Sequence, residues 1–202
     1  MKHDGQAEAL ERYRELLQRY HGALDLLSDR GLQDLERLVG EAERYATTVR
    51  LLDRSEGTLL DVGSGAGLPG VVLALRLPGW RVILSERRRR RASFLTLVAG
   101  QLGLANVEVF RGDVRRLSGV RVDVVVAQGV GSFAEVYAMT RAVHAGEVVL
   151  MSRKGPEWRL EADALAAECS AAVAVVAEES LEHRGTLVAL RLAGGHACRS
   201  SG

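Results

Sequence analysis

A short apolar run that ends in closely spaced glycines constrains this chain more than any other feature. Leu59 to Val62 is apolar apart from Asp61, the three glycines Gly63, Gly65 and Gly67 occupy alternate positions after it, and Pro69 and Gly70 follow. Glycine lets the backbone take turns closed to other residues and come close to a bound group. Proline suits the first turn of a helix. The segment therefore predicts a strand, a tight loop and a helix start, which together place a cofactor over the carboxyl end of the first strand of an open α/β sheet. Glycines alone could serve only to turn the chain, so the setting matters. Glu86 ends the next apolar run, about 20 residues beyond Gly67, where an acid would receive ribose hydroxyls.

The remaining periodicity agrees. Strand-like runs at Thr58–Val62, Arg81–Ser85, Val107–Phe110, Asp123–Ala127 and Glu147–Ser152 alternate with helical patterns at about Leu68–Leu77, Arg89–Leu102, Ser132–Val143 and Glu157–Glu168. Nearly continuous apolar strands between helices predict an α/β fold with a mostly parallel sheet covered on both faces. Ala172–Ala177 and Thr186–Leu192 have no helix between them, so an antiparallel hairpin should close the sheet.

Ahead of the sheet, Leu10, Tyr13, Leu16, Leu17 and Tyr20 recur at helical steps. After a polar break at Ser28–Gly31, a second stripe runs through Leu32, Leu35, Leu38, Val39, Ala42, Ala46, Val49 and Leu52. The expected organisation is an N-terminal helical extension over 1–54, a Rossmann-like domain over 55–194 and a flexible tail over 195–202.

Composition excludes other classes. A hydrophobic share of 47% with a net charge of +1 is not that of a disordered chain. No run approaches the roughly 18 apolar residues that span a bilayer, and the first residues lack the apolar core of a signal peptide. Cys169 and Cys198 make neither a disulfide framework nor a metal-ligand spacing. The expectation is a monomer in a reducing cytoplasm, without metal or membrane.

Two cofactors suit the loop. A dinucleotide presents a pyrophosphate, and a carboxylate just before the glycines would repel it. S-adenosyl-L-methionine presents a sulfonium and an ammonium, beside which Asp61 is favourable. With the terminal hairpin, the combination resembles the class I methyltransferases. Leu60 to Gly70, ending in Leu68-Pro69-Gly70, is similar to the first motif of the GidB/RsmG family, bacterial enzymes that methylate a guanine N7 of small-subunit ribosomal RNA. Leu84-Ser85-Glu86, Arg90-Arg91, Phe94-Leu95, Leu104 to Val109 and Lys154-Gly155 resemble further family segments in order. The family's Arg-Ala pair after the fourth strand is replaced here by Ala127-Gln128-Gly129-Val130.

The resemblance implies S-adenosylmethionine against Asp61, Gly63, Ser64, Gly65, Gly67, Glu86, Arg87, Asp113, Val114 and Gln128, with Glu86 on the ribose and Asp113 on the adenine amino group. Asp113 also suits a helix cap. Ribosomal RNA or the small subunit becomes the expected partner, met by Arg87, Arg88, Arg90, Arg91 and Lys154. Gln128, Arg153 and Lys154 are the acceptor-side candidates, and guanine N7 asks for no catalytic base. Five cations from Arg87 to Arg91 would oppose a helix dipole by roughly 0.3–1 kcal/mol each when exposed, so helix stability does not explain them. A solvated face does, as does phosphate contact. His3, His21, His144, His183 and His196 stand apart from the motifs, and Trp80 and Trp158 suit packing. Two alternatives stay open: a diverged enzyme acting on a small molecule or peptide, and a non-catalytic module that binds the cofactor.

Overall fold

A computed structural model describes residues 3–169, 172–181 and 185–193 of the chain. The proposed tail, His183, His196 and Cys198 lie outside them. Three helices come first: α1 (His3–Leu24), α2 (Asp29–Gln33) and α3 (Leu35–Arg50). The alternating part follows as β1 (Gly57–Val62), α4 (Gly70–Arg76), β2 (Trp80–Glu86), α5 (Arg89–Gln101), β3 (Val107–Arg111), β4 (Val122–Ala127), α6 (Phe133–Thr140), β5 (His144–Lys154) and α7 (Trp158–Cys169). β6 (Ala172–Ser180) and β7 (Thr186–Ala193) end it.

The seven strands form one sheet in the order β3-β2-β1-β4-β5-β7-β6. β1 to β5 run parallel, whereas β7 is antiparallel to both β5 and β6. The expected mostly parallel sheet with a terminal antiparallel hairpin is thus present, and the later hairpin strand is the one inserted against β5. Strand order reverses between β1 and β4, which leaves a crevice at their carboxyl ends.

Alternate residues of each strand serve opposite cores, as the two-residue period demands. Leu59, Val82, Leu84, Val124 and Val126 pack into one cluster, and Leu60, Ile83 and Val125 into the other. Tyr13 and Leu17 of α1 and Tyr45 and Val49 of α3 join the first cluster, alongside α4 and α5. The 1–54 segment therefore shares the sheet's core. Burying such a side chain is worth roughly 1.5–3 kcal/mol, so the extension contributes strongly to holding that face of the sheet.

Several boundaries differ from expectation. The Ser28–Gly31 break is a helix start, because the Ser28 hydroxyl accepts from the Gly31 amide at 3.0 Å and caps α2. The second stripe divides at Asp34, so Leu32 and Leu35 belong to different helices. Helix α4 opens at Gly70, with Pro69 at the cap position. Ser132 starts α6 as read, through a reciprocal capping box with Glu135. That helix stops at Thr140, and a 3-10 turn over Arg141–Val143 leads into β5.

Candidate functional site

The glycine loop is bound to the neighbouring strand. The amides of Gly63 and Ser64 both donate to the Ser85 carbonyl, at 2.9 and 3.0 Å. Gly63, Gly65 and Gly67 have φ of 70°, 54° and 100°, the left-handed region that only glycine enters cheaply. A Cβ at Gly67 would lie 2.7 Å from Val71 and 3.0 Å from the Tyr13 hydroxyl. At Gly65 a Cβ would meet the Gly63 carbonyl at 3.6 Å and the Arg91 guanidinium at 3.9 Å, ordinary contact distances, so the positive φ rather than crowding asks for glycine there.

Three side chains brace the loop. The Tyr13 hydroxyl, fully buried on α1, donates to the Ala66 carbonyl at 2.9 Å. Glu86 accepts from the Gly65 amide at 3.0 Å through Oε2 and from the Arg88 amide at 2.7 Å through Oε1. Each of those oxygens keeps a second lone pair for another donor. Asp61 lies beneath the loop, 1% exposed, where its Oδ2 accepts from the Gly70 amide at 3.2 Å. Burial pushes its carboxyl up to about 7, against the opposing hydrogen bonds of Ser64 and Gly70.

Above the loop, at the crevice, lies a cleft of about 470 Å³. Gly63, Glu86, Arg87, Asp113 and Val114, all expected on the cofactor, line it together with Arg88 and Arg91. Asp61, Ser64, Gly65 and Gly67 form the loop without appearing on that lining, and half-buried Gln128 stands just past β4 beside Gly129 and Val130, which do line it. Gly112 and Arg115, which flank Asp113 and Val114, and Val130 and Met139 complete the wall. Met139 is visible in the sequence only as part of the apolar pattern of α6.

Of the two readings offered for Asp113, the cap is the one seen directly. Asp113 caps the 3-10 turn Val114–Arg116 by accepting from the Arg115 amide at 3.0 Å, and it faces the cleft. That backbone hydrogen bond, followed by the charge of Arg115, holds its carboxyl below the usual range and keeps it ionised.

The cations divide. The Arg91 guanidinium bonds the Asp25 carbonyl and, at 3.1 Å, the Asp25 carboxylate, tying α5 to the end of α1. Arg153 pairs with Glu41 of α3 at 3.0 Å. Lys154 is buried: its ammonium donates to the Gly131 carbonyl at 2.6 Å, pairs with Glu161 at 2.7 Å and sits 4.7 Å over the Phe133 ring. By contrast, Arg87, Arg88, Arg89 and Arg90 are exposed, and their guanidiniums have no hydrogen bond or ion pair among the described residues. Trp80 and Trp158 are both core residues, one in each cluster. No set of His, Cys, Asp or Glu among the described residues is grouped to hold a metal ion.

The family model described as GidB, rRNA small subunit methyltransferase G, matches residues 6–186. A ribosomal RNA small subunit methyltransferase G from Leptothrix cholodnii is 31% identical over 82% of this chain and 77% of its own length. The protein of the same name from Bordetella pertussis is 30% identical over 78% and 72%. Among solved structures, a SAM-dependent methyltransferase from Aquifex aeolicus superposes with a TM-score of 0.60 at 17% identity, over 79% of this chain and 93% of that one. A mutant of MtNAS in complex with S-adenosylmethionine gives 0.64 at 17% identity, over 94% and 76%. These two likenesses concern the fold.

Proposed function

Because the chain belongs to the GidB family of rRNA small subunit methyltransferases, we propose that it transfers a methyl group from S-adenosylmethionine to a guanine N7 in the RNA of the small ribosomal subunit. The observation that carries the reading is the cleft over β1 and β2, where Glu86 and Asp113 stand at its wall beside the glycine turn. Its volume lies within the range of ordinary cofactor sites, about 300–1,000 Å³. The spare lone pairs of Glu86 at the cleft wall suit the cofactor's ribose, and the ionised Asp113 suits an exocyclic amine.

When bound, the cofactor supplies a methyl group already activated on a positively charged sulfur. The residues of the chain then have a limited task. Glu86 would hold the cofactor's ribose and Asp113 its adenine, while the loop braced by Tyr13 would set its depth. Guanine N7 carries an in-plane lone pair without a proton. That pair could take the methyl group directly, so the chain's residues would need only to hold the base and the cofactor against each other. No side chain has to remove a proton, so rate comes from holding the two reactants in line. The N7 edge is inaccessible inside an A-form helix, so the target base must be presented from a loop or an unpaired segment. Arg87 and Arg88 at the cleft wall are placed to meet its phosphates. The same reading puts the chain in the cytoplasm, working as a monomer; no helix among the described residues is long and apolar enough to cross a membrane.

One departure favours a second reading. Gln128 stands where the family has a cation, which suits a small or peptide acceptor. Labelled methyl donor, offered with small subunits, naked ribosomal RNA or a low-molecular-weight extract, separates the two. Label should enter RNA as N7-methylguanosine, and Glu86→Ala should weaken cofactor binding in calorimetry at least tenfold, as expected when hydrogen bonds to a charged group worth about 1.5–3 kcal/mol are lost. Label confined to small molecules would establish the second reading.

A further inference from the structure

Beside the cofactor cleft, α1 and α5 leave a groove of about 320 Å³ between them. Tyr20 and Leu24 of α1 and Phe94 and Leu97 of α5 make its apolar part, and Arg89 and Arg90 stand at its edge. The rings of Tyr20 and Phe94 lean together at 5.9 Å, and the Arg19 guanidinium lies 5.5 Å from the centre of the Tyr20 ring. Leu97 is 37% exposed. A scattered exposed leucine would mean little. Here it borders the half-buried Tyr20, behind which Phe94 is buried, and the neighbouring arginines have no acid partner among the described residues.

We propose that this groove is a second RNA subsite, which takes an unpaired base against its apolar floor while Arg89 and Arg90 hold the flanking phosphates. The proposal rests on RNA being the acceptor. Continuity with the cleft supports it: Arg87 and Arg88 line the cleft and the next two residues line the groove, so one basic run passes from the first to the second at the head of α5. A single strand that follows this run can offer a base to each side. An apolar, partly aromatic floor with a cationic edge is the pairing by which proteins hold unstacked bases without reading their sequence. An acidic peptide would satisfy the arginines, yet its carboxylates would make no use of the apolar floor.

The test uses the full chain and a short single-stranded RNA carrying a fluorescent purine analogue, titrated at several salt concentrations. Leu97→Asn should weaken binding about fivefold, abolish the fluorescence change of the analogue and leave the salt dependence unaltered. Arg89→Gln with Arg90→Gln should flatten the salt dependence by about 0.7 for each phosphate released. Cofactor affinity and circular dichroism should match wild type in both variants. If the arginine pair weakens binding while Leu97→Asn binds RNA and reports on the analogue like wild type, the groove is not a base site, although RNA remains the acceptor. If Leu97→Asn impairs methylation of intact subunits only and leaves affinity for naked RNA untouched, the groove docks protein and the proposal is overturned. If wild-type protein neither binds RNA nor labels small subunits, the acceptor assignment itself fails and takes the subsite with it.

Discussion

Lys154 and Arg88 have equal claims on RNA when only the amino-acid sequence is read, since both are cations at the carboxyl ends of strands. In the fold they differ in kind. Lys154 is shut in by Gly131, Glu161 and Phe133, whereas Arg88 stands exposed with its guanidinium unpaired among the described residues. Arg153 and Arg91 side with Lys154, each tying a strand or helix of the sheet domain to the N-terminal helices. Arg87, Arg89 and Arg90 side with Arg88. A charge serves a ligand only if folding leaves it over, and that depends on residues far away in the chain.

The largest effect that would break this division is on Lys154. Lys154→Met removes the ion-pair partner of Glu161, whose carboxylate keeps the Phe133 amide at 3.2 Å, and the donor to the Gly131 carbonyl. Stranding one member of a buried pair costs about 3–5 kcal/mol. Glu161 is 33% exposed, so solvent recovers part of the loss and about 2–3 kcal/mol is expected. Calorimetry should show a melting temperature lower by roughly 5–10 °C in a domain of this size. Cofactor affinity should fall as well, because Gly131 belongs to the loop whose Gly129 and Val130 line the cleft. A variant that melts with wild type would mean that Lys154 is as free as Arg88.

The acid beneath the glycine loop and the acid at the cleft wall divide in the same way, and pH sharpens the contrast. Asp61 is raised from 3.8 to about 7 by burial, so between those values the native state holds a proton that the unfolded chain has lost. Its contribution to stability is complete below about pH 4 and declines as pH rises to about 7, by at most roughly 1.4 kcal/mol per pH unit. Asp113 is shifted the other way, so its contribution is present above its ordinary value and is lost only as pH falls below it. Asp61→Asn keeps an oxygen for the Gly70 amide and removes the first slope. Denaturant unfolding should show stability dropping less from pH 5 to pH 8 in the variant than in wild type, by on the order of 2 kcal/mol. Identical pH profiles would place Asp61 in contact with solvent.

The legibility of the site follows the range of the forces involved. The turn from Thr58 to Gly70 can be read because positive φ at Gly63, Gly65 and Gly67 is a local demand, and the placement of Glu86 follows from the strand that carries it. Ser132 as a helix start is equally local, since its partner Glu135 is one turn away. Tyr13 is legible only as one member of an apolar stripe, although its hydroxyl braces the glycine loop from a different part of the chain. The break at Asp34 escapes the stripe reading, because Leu32 and Leu35 keep helical spacing across two separate helices. The start of β5 at His144 also escapes, since His144 to Glu147 is too polar to read as strand and is held by pairing of His144 with Val122.

The smallest effect belongs to the exposed arginines, and its sign makes it informative. Arg87 and Arg88 precede α5, whose first turn contains no acid, so their charges oppose the positive end of the helix dipole. Neither guanidinium has a hydrogen bond or ion pair among the described residues, so neutralising both breaks no direct contact, and only the longer-range attraction of Arg87 for Asp113 is lost. Surface changes of this kind stay within about 0.5 kcal/mol. Relief of the unfavourable dipole interaction sets the direction, so the double variant Arg87→Gln with Arg88→Gln should be slightly more stable than wild type. Melting temperature should rise by about 1–2 °C, since 1 kcal/mol shifts it by only 2–4 °C at this chain length. The rise should shrink at high salt, because screening removes an exposed interaction of this sort in wild type too. Calorimetry at low and high ionic strength checks both points. A destabilised variant would show that the arginines hold the fold together, as Lys154 does, and the division between bound and available cations would not survive it.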